Sequence, residues 1–325
     1  MAWLTGYGYR QKVPLKRVDG AVIDYQMLLT VNKGAGDSSG AVIYLKNHAL
    51  SWEGTVPNDL RFTRADEVTE LPYWIEFSDA NTAKVWGKYN SIGTTDTYFC
   101  VYYGKSGDTT TSNGGNTFLF FDDFPGSSLD TAKWEGDLAS MTVADSILTL
   151  PGSTTVRNIL STVAIPQGAR VCQLVKTTSS VKYNYLGGFS STIAGDQDRA
   201  ITYTNDTSLT VVVCSTMKAG AATNANYNVP DVSIQYRIYE ITWKSGEAKF
   251  YQDGTLITTH TTNVPDVDQK HRLWASSGGT GIDSLFQWIF TSKYIDPEPT
   301  WGTWGTQEAA GEAAGFSHST GFTIG

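Results

Sequence analysis

Cysteine is scarce in this 325-residue chain: Cys100, Cys172 and Cys214 are the three, and none sits in a C-x-x-C pair. At least one thiol therefore stays unpaired within a single molecule, and buried apolar thiols are the expected state rather than a redox or metal role. Cys172 with Cys214 is the one pair to test as a disulfide. Histidine is scarce too, with His48, His260, His271 and His318 lacking the H-x-x-x-H or H-E-x-x-H spacing on which a zinc site is built. No apolar run approaches the ~18 residues of a spanning helix; residues 209–214 are short and β-branched and read as a buried strand, so membrane insertion is not expected. Lys and Arg number 24 against 32 Asp and Glu, a net charge of −8, without a basic cluster. That balance disfavours nucleic acid and anionic membrane surfaces as partners. The first ten residues lack the basic and apolar regions of a secretory leader. There is no G-x-S-x-G elbow, and Gly104-Lys105-Ser106 is no phosphate loop, because Phe99 stands where the first glycine belongs and no helix follows.

What is present is 40% hydrophobic and 17% charged, an ordinary folded composition long enough for two domains. Apolar residues recur with period two, which predicts an all-β protein of two consecutive β-sandwiches. In the first domain, 1–117, residues 10–15, 25–31, 41–45, 60–63, 73–77, 84–89 and 97–103 read as short strands between Gly, Asn and Asp turns. A loop over 104–116 with almost nothing to bury places the boundary near 117. The second domain, 118–300, holds about a dozen strand-like segments and reads as a larger jelly roll. Within it Phe286, Trp288, Phe290 and Tyr294 fall on one face by alternation, and Asp253-Gly254 supplies a hairpin turn. The tail, 301–325, has too little apolar surface to fold alone, so it is expected to be flexible or ordered by assembly, with Trp301 and Trp304 as assembly residues.

Residues 3–10 with Asn58-Asp-Leu-Arg-Phe-Thr63, Leu71-Pro-Tyr-Trp-Ile-Glu76, Ala83-Lys-Val-Trp-Gly-Lys88 and Tyr98-Phe-Cys-Val-Tyr-Tyr-Gly104 make the first domain resemble the domain-of-unknown-function 2341 family. That resemblance implies the setting of archaeal surface proteins and of phage or viral structural proteins, with no established activity. Phe121-Asp-Asp-Phe124, Leu129-Asp-Thr-Ala-Lys-Trp134, Tyr239-Glu-Ile-Thr-Trp243, Phe250-Tyr-Gln-Asp-Gly254 and residues 294–299 make the second domain similar to the concanavalin A-like lectin/glucanase jelly roll. Members of that fold bind glycans, hydrolyse them or serve as inert sandwiches, so the likeness leaves all three open.

A glucanase on this fold needs two carboxylates projecting from one strand. The Glu-x-Asp-x-x-Glu arrangement is absent from 118–300, a turn separates Glu240 from Glu247, and Asp196 with Asp198 sits in a loop beside Arg199. The expectation is therefore a protein that is not an enzyme. Asp122 and Asp123 are the candidates for a structural calcium ion, which prefers carboxylate and carbonyl oxygens. Alternation sends the two to opposite faces. Aromatic residues reach 12%; most fill sandwich cores, and Tyr183, Tyr185, Tyr227 and Trp274 are the candidates for carbohydrate contact. The sequence thus reads as a virion or surface structural component: a tail fibre or receptor-binding protein, or a capsid decoration. It would form a homo-oligomer among other virion or surface-layer proteins and meet a host-surface glycan through the jelly roll. The alternatives are a secreted cell-surface carbohydrate-binding protein whose leader is missing and a glycan hydrolase.

Overall fold

The computed structural model describes residues 2–46, 52–53, 55–152, 156–178, 185–192, 197–205, 208–275 and 283–311. The chain folds as two compact units, one formed by residues 1–117 together with the chain from Pro297 onward, the other by 118–296.

In the first unit the strands are β1 (Tyr9–Lys16), β2 (Tyr25–Lys33), β3 (Val42–Leu45), β4 (Trp52–Glu53), β5 (Val56–Pro57), β6 (Arg61–Thr63), β7 (Glu70–Leu71), β8 (Tyr73–Ser78), β9 (Thr82–Tyr89) and β10 (Thr97–Tyr103), followed by the one-turn helix α1 (Gly114–Thr117). All seven strands expected from the alternation are present, with ends displaced by one or two residues. One sheet runs β1-β10-β6-β7, a second β3-β2-β9-β8, and β4 pairs β5. Rings join the two larger sheets: Tyr89 meets Phe99 at 4.7 Å and Phe62 meets Tyr73 at 5.4 Å between centroids, over a core that includes Val13, Leu15, Leu29 and Val31.

The second unit contains β11 (Phe120–Asp122), β12 (Trp134–Gly136), β13 (Thr142–Ala144), β14 (Ile147–Leu150), β15 (Arg157–Ser161), β16 (Ala169–Thr177), β17 (Tyr185–Ser190), β18 (Arg199–Asn205), β19 (Ser208–Lys218), β20 (Ala221–Asn228), β21 (Arg237–Lys244), β22 (Glu247–Gln252), β23 (Thr255–His260), β24 (Lys270–Ala275) and β25 (Ser284–Lys293). An eight-stranded sheet, β13-β14-β25-β16-β21-β22-β23 with β11 on β25, faces a seven-stranded sheet, β12-β15-β24-β17-β18-β19-β20. Contacts between the sheets include Phe189 on Trp243 at 4.9 Å and Phe120 on Trp134 at 5.2 Å. At the β22–β23 turn Asp253 has φ +50° and Gly254 φ +77°, the paired positive φ values that match strand twist. Cys100, Cys172 and Cys214 are buried and not joined in disulfides.

Two expectations are corrected. The four aromatics of β25 and its extension do not share a face, because the register against β16 shifts between Leu174 and Val175. Past that bulge Phe286 lies in the core while Trp288 and Phe290 pair with Leu174 and Cys172 on the other side. Residues 300–310 are not left for a neighbouring subunit to order. β26 (Thr300–Trp301) and β27 (Glu308–Ala309) both pair with β1 of the same chain. Gly302, Gly305 and Ala310 donate their N–H groups to Pro14, Lys12 and Gly8, each at 2.8 Å, which satisfies an edge that would otherwise present unpaired carbonyls. Trp301 packs on Tyr89 at 5.8 Å and on Trp304 at 5.9 Å, and the Trp304 indole donates to the Gly40 carbonyl at 2.9 Å.

Candidate functional site

Strand phase decides which side chains of the seven-stranded sheet turn away from the core. Ile159 and Leu273 are register partners in the core, so the neighbouring pairs Asn158–Trp274 and Leu160–Arg272 point outward. Carrying that phase across β17, β18, β19 and β20 places Ser190, Arg199, Ile201, Tyr203, Val213, Ser215, Asn224 and Asn226 on the same outer face. Glu135 on β12 joins it as the partner of Leu160.

Most of this face is itself buried. Leu160, Ser190, Ile201, Ser215 and Arg272 are each 5% exposed or less, and Tyr185 is fully enclosed with its hydroxyl lacking a hydrogen-bond partner. The Arg272 guanidinium donates through Nε and Nη2 to the Asn158 side-chain oxygen at 3.0 and 2.8 Å, and Arg199 Nε donates to Ser215 Oγ at 3.3 Å. Burial lowers the pKa of both guanidiniums, though arginine starts so high that they stay charged at neutral pH. Burial also drives the Tyr185 phenol far above its usual range, against the opposing pull of Arg272 and Arg199. Tyr203 and Trp274, both half-buried, meet edge to face at 6.3 Å, and the Arg272 guanidinium stands 5.9 Å from the Trp274 ring centre. On β12, Glu135 accepts from Lys270 Nζ at 2.6 Å.

This arrangement offers ring faces beside fixed N–H donors and an amide. Glu135 is a carboxylate of the face, and two residues on, just past β12, Asp137 accepts from the Asn158 N–H at 2.9 Å; glycoside cleavage uses two acids, at about 5–5.5 or 6.5–9.5 Å separation.

The structure distributes the sequence-derived candidates widely. Trp274 and Tyr185 share the outer face, whereas Tyr227 turns to the inter-sheet side, donating to Thr258 Oγ1 of the opposite sheet at 2.6 Å. Tyr183 lies outside the described residues. Asp122 is 1% exposed, and its oxygens accept from Trp134 Nε1 at 2.7 Å, Phe124 N at 3.1 Å and Lys133 Nζ at 3.2 Å. That carboxylate is a structural anchor, and the exposed Asp123 does not share its environment. Among the described residues no group of three or more His, Cys, Asp or Glu is placed to hold a metal ion. Asn158, Tyr203 and Arg272 escaped sequence reasoning; the usable signal was their alternation against Ile159, Thr202 and Leu273.

Residues 56–137 match the model of a family described as a domain of unknown function, DUF2341; the match begins in the first unit and ends just past β12 of the second. A curated β-glucanase of Paenibacillus polymyxa is 36% identical over 69 residues, covering 21% of this chain and 26% of that protein. The chain thus spans about a quarter of the length of that relative. Among solved structures, the Bacillus licheniformis β-glucanase is 17% identical with a TM-score of 0.47 over 54% of this chain and 97% of that one. The endo-β-1,3-glucanase of Pyrococcus furiosus is 9% identical with a TM-score of 0.48 over 55% and 95%. The match to a curated β-glucanase overturns the expectation of a non-enzymatic virion component and favours the hydrolase alternative. The missing Glu-x-Asp-x-x-Glu motif was too narrow a ground for excluding an enzyme, because carboxylates distant in sequence also meet in a groove.

Proposed function

We propose that this protein is a glycoside hydrolase acting on a β-glucan-type polysaccharide, with the outer face of the seven-stranded sheet in its jelly roll as the surface that takes the glycan. The observation that carries the reading is the half-buried Trp274–Tyr203 pair beside the Arg272–Asn158 contact. Ring faces suit the C–H side of a pyranose, and guanidinium and amide groups fix its hydroxyls. The 36% identity with a β-glucanase supports the substrate class. Cleavage of a glycosidic bond needs a group that protonates the leaving oxygen. It also needs a carboxylate that stabilises or attacks the anomeric centre or activates a water, and on the described face Glu135, which Lys270 holds in place at 2.6 Å, is of that kind.

The test is incubation of the full chain with mixed-linkage β-glucan and with laminarin, followed by reducing-end and mass analysis of the products. Oligosaccharide release is expected. Trp274→Ala should raise KM about tenfold, in line with the loss of one aromatic contact of ~1–1.5 kcal/mol, and Glu135→Gln should lower kcat with KM kept. Absence of products from both substrates overturns the reading.

A further inference from the structure

The sandwich is open at one side. β20 ends the seven-stranded sheet and β23 ends the eight-stranded one, and between these two edges lies a cavity of about 490 Å³. Such a volume falls within the ~300–1,000 Å³ of small-molecule sites. From β24, which carries Trp274, three intervening strands separate β20, about 19 Å at the usual strand spacing, so the cavity is a place apart from the outer face.

Its walls differ in chemistry. Tyr227, Val229, Leu256 and Ile257 form an apolar side. The hydroxyl of Tyr227 is committed to Thr258 Oγ1, which fixes the ring, and Leu256 is 50% exposed. An ion pair also lines the cavity: Arg237 Nη1 donates to Asp253 Oδ2 at 2.8 Å. Asp253 Oδ1 is taken by the Ile238 N–H at 2.9 Å, while the buried Nε of Arg237 has no hydrogen-bond partner. An anionic ligand would meet Asp253 and a cationic one Arg237, so the charge-balanced pair selects a neutral molecule that both donates and accepts. The apolar wall requires that molecule to have a C–H face as well. A pyranose ring meets all of these demands.

We propose that this edge cavity is a second saccharide-binding site, taking a neutral sugar ring with its C–H face on Tyr227 and Leu256 and its hydroxyls on Arg237 and Asp253. It stands on the cavity's own residues and does not rest on the assignment of the outer face.

The test uses the full-length protein carrying Trp274→Ala, which disables the outer face, with cellotetraose as the probe in ligand-observed saturation-transfer NMR and titration calorimetry. Binding is expected to persist in that variant and to weaken at least tenfold when either Leu256→Asp or Arg237→Gln is added. Leu256 is half-exposed, so its replacement keeps the fold, and an unchanged unfolding temperature verifies this. Undiminished binding in both double variants overturns the proposal. Complete loss of binding in Trp274→Ala alone also overturns it, while leaving the hydrolase reading standing. Cellotetraose bound at the cavity by a protein that releases nothing from β-glucans upholds the cavity and sinks the hydrolase reading.

Discussion

At the scale of single residues, buried polar groups in the jelly roll have partners whose loss is costly, and two of them make sharp predictions. Asp122 gathers the Trp134 indole, the Lys133 ammonium and the Phe124 amide around one enclosed carboxylate. Asp122→Ala leaves those donors facing apolar surroundings and should lower stability by about 3–5 kcal/mol in urea unfolding. His271 is fully buried between Phe120 and Thr291, with Nδ1 lacking a partner, and burial holds its pKa down to about 3. It is therefore neutral in the folded state and protonates on unfolding at any pH between about 3 and the ordinary 6.5. The unfolded state binds the extra proton in that window, so stability is fully present above pH 6.5 and falls as the pH drops, by at most about 1.4 kcal/mol per unit for one proton. His271→Leu should flatten the urea midpoint against pH between 4 and 6; a slope unchanged from wild type would assign the acid sensitivity to other groups.

At the scale of elements, the outer face depends on β17. Its register against β18 shifts between Tyr185 and Gly187, so the strand changes phase and lays Tyr185 opposite Tyr203 while Phe189 stays in the core. The bulge rests on glycine. Gly188 has φ +136°, and a Cβ there would stand 2.2 Å from the Ala200 carbonyl oxygen of the paired strand. Backbone cannot retreat as a flexible side chain does, so Gly188→Ala should cost more than about 3 kcal/mol and reduce soluble yield. Such shifts also explain what the sequence could not disclose. Alternation located all seven strands of the first sandwich, and Asp253-Gly254 marked its hairpin, because both signals are local. Bulges reverse the phase without a local mark other than glycine, which is why Phe286 was grouped with Trp288 and why Tyr185 reads as an accessible ring although it is enclosed. The outer face was legible only in part: Trp274 stands out as an aromatic, whereas Arg272 and Asn158 acquire meaning from a pairing between strands more than a hundred residues apart.

At the scale of the whole molecule, the jelly roll is an insertion in the first sandwich rather than a successor to it. The chain leaves the first unit at Thr117 and re-enters it at Pro297. There Glu308 accepts from Arg10, a fully buried guanidinium that also pairs with Glu67 and the Tyr102 hydroxyl. Tyr25 donates to Glu298 at 2.7 Å, and Tyr103 donates to Gln307 at 2.5 Å. Strands of two residues such as β26 and β27 carry no periodic signal, and their partner β1 lies nearly the whole chain away, so the return was invisible in the sequence. The consequence is an asymmetry between fragments. The two buried clusters of the jelly roll draw only on residues between Phe120 and Ile289, so residues 118–296 expressed alone should unfold in one cooperative transition. Residues 1–117 alone lose the pairing on β1 and one of the two carboxylates of Arg10, Glu308, while Glu67 stays, a loss of about 1.5–3 kcal/mol for a charge-assisted hydrogen bond. That is a large part of the stability of a small domain. Calorimetry should show a weakened or absent transition for 1–117, restored when a peptide spanning 297–311 is supplied. Full stability of 1–117 without the peptide would mean that the returning strands decorate the sandwich rather than complete it.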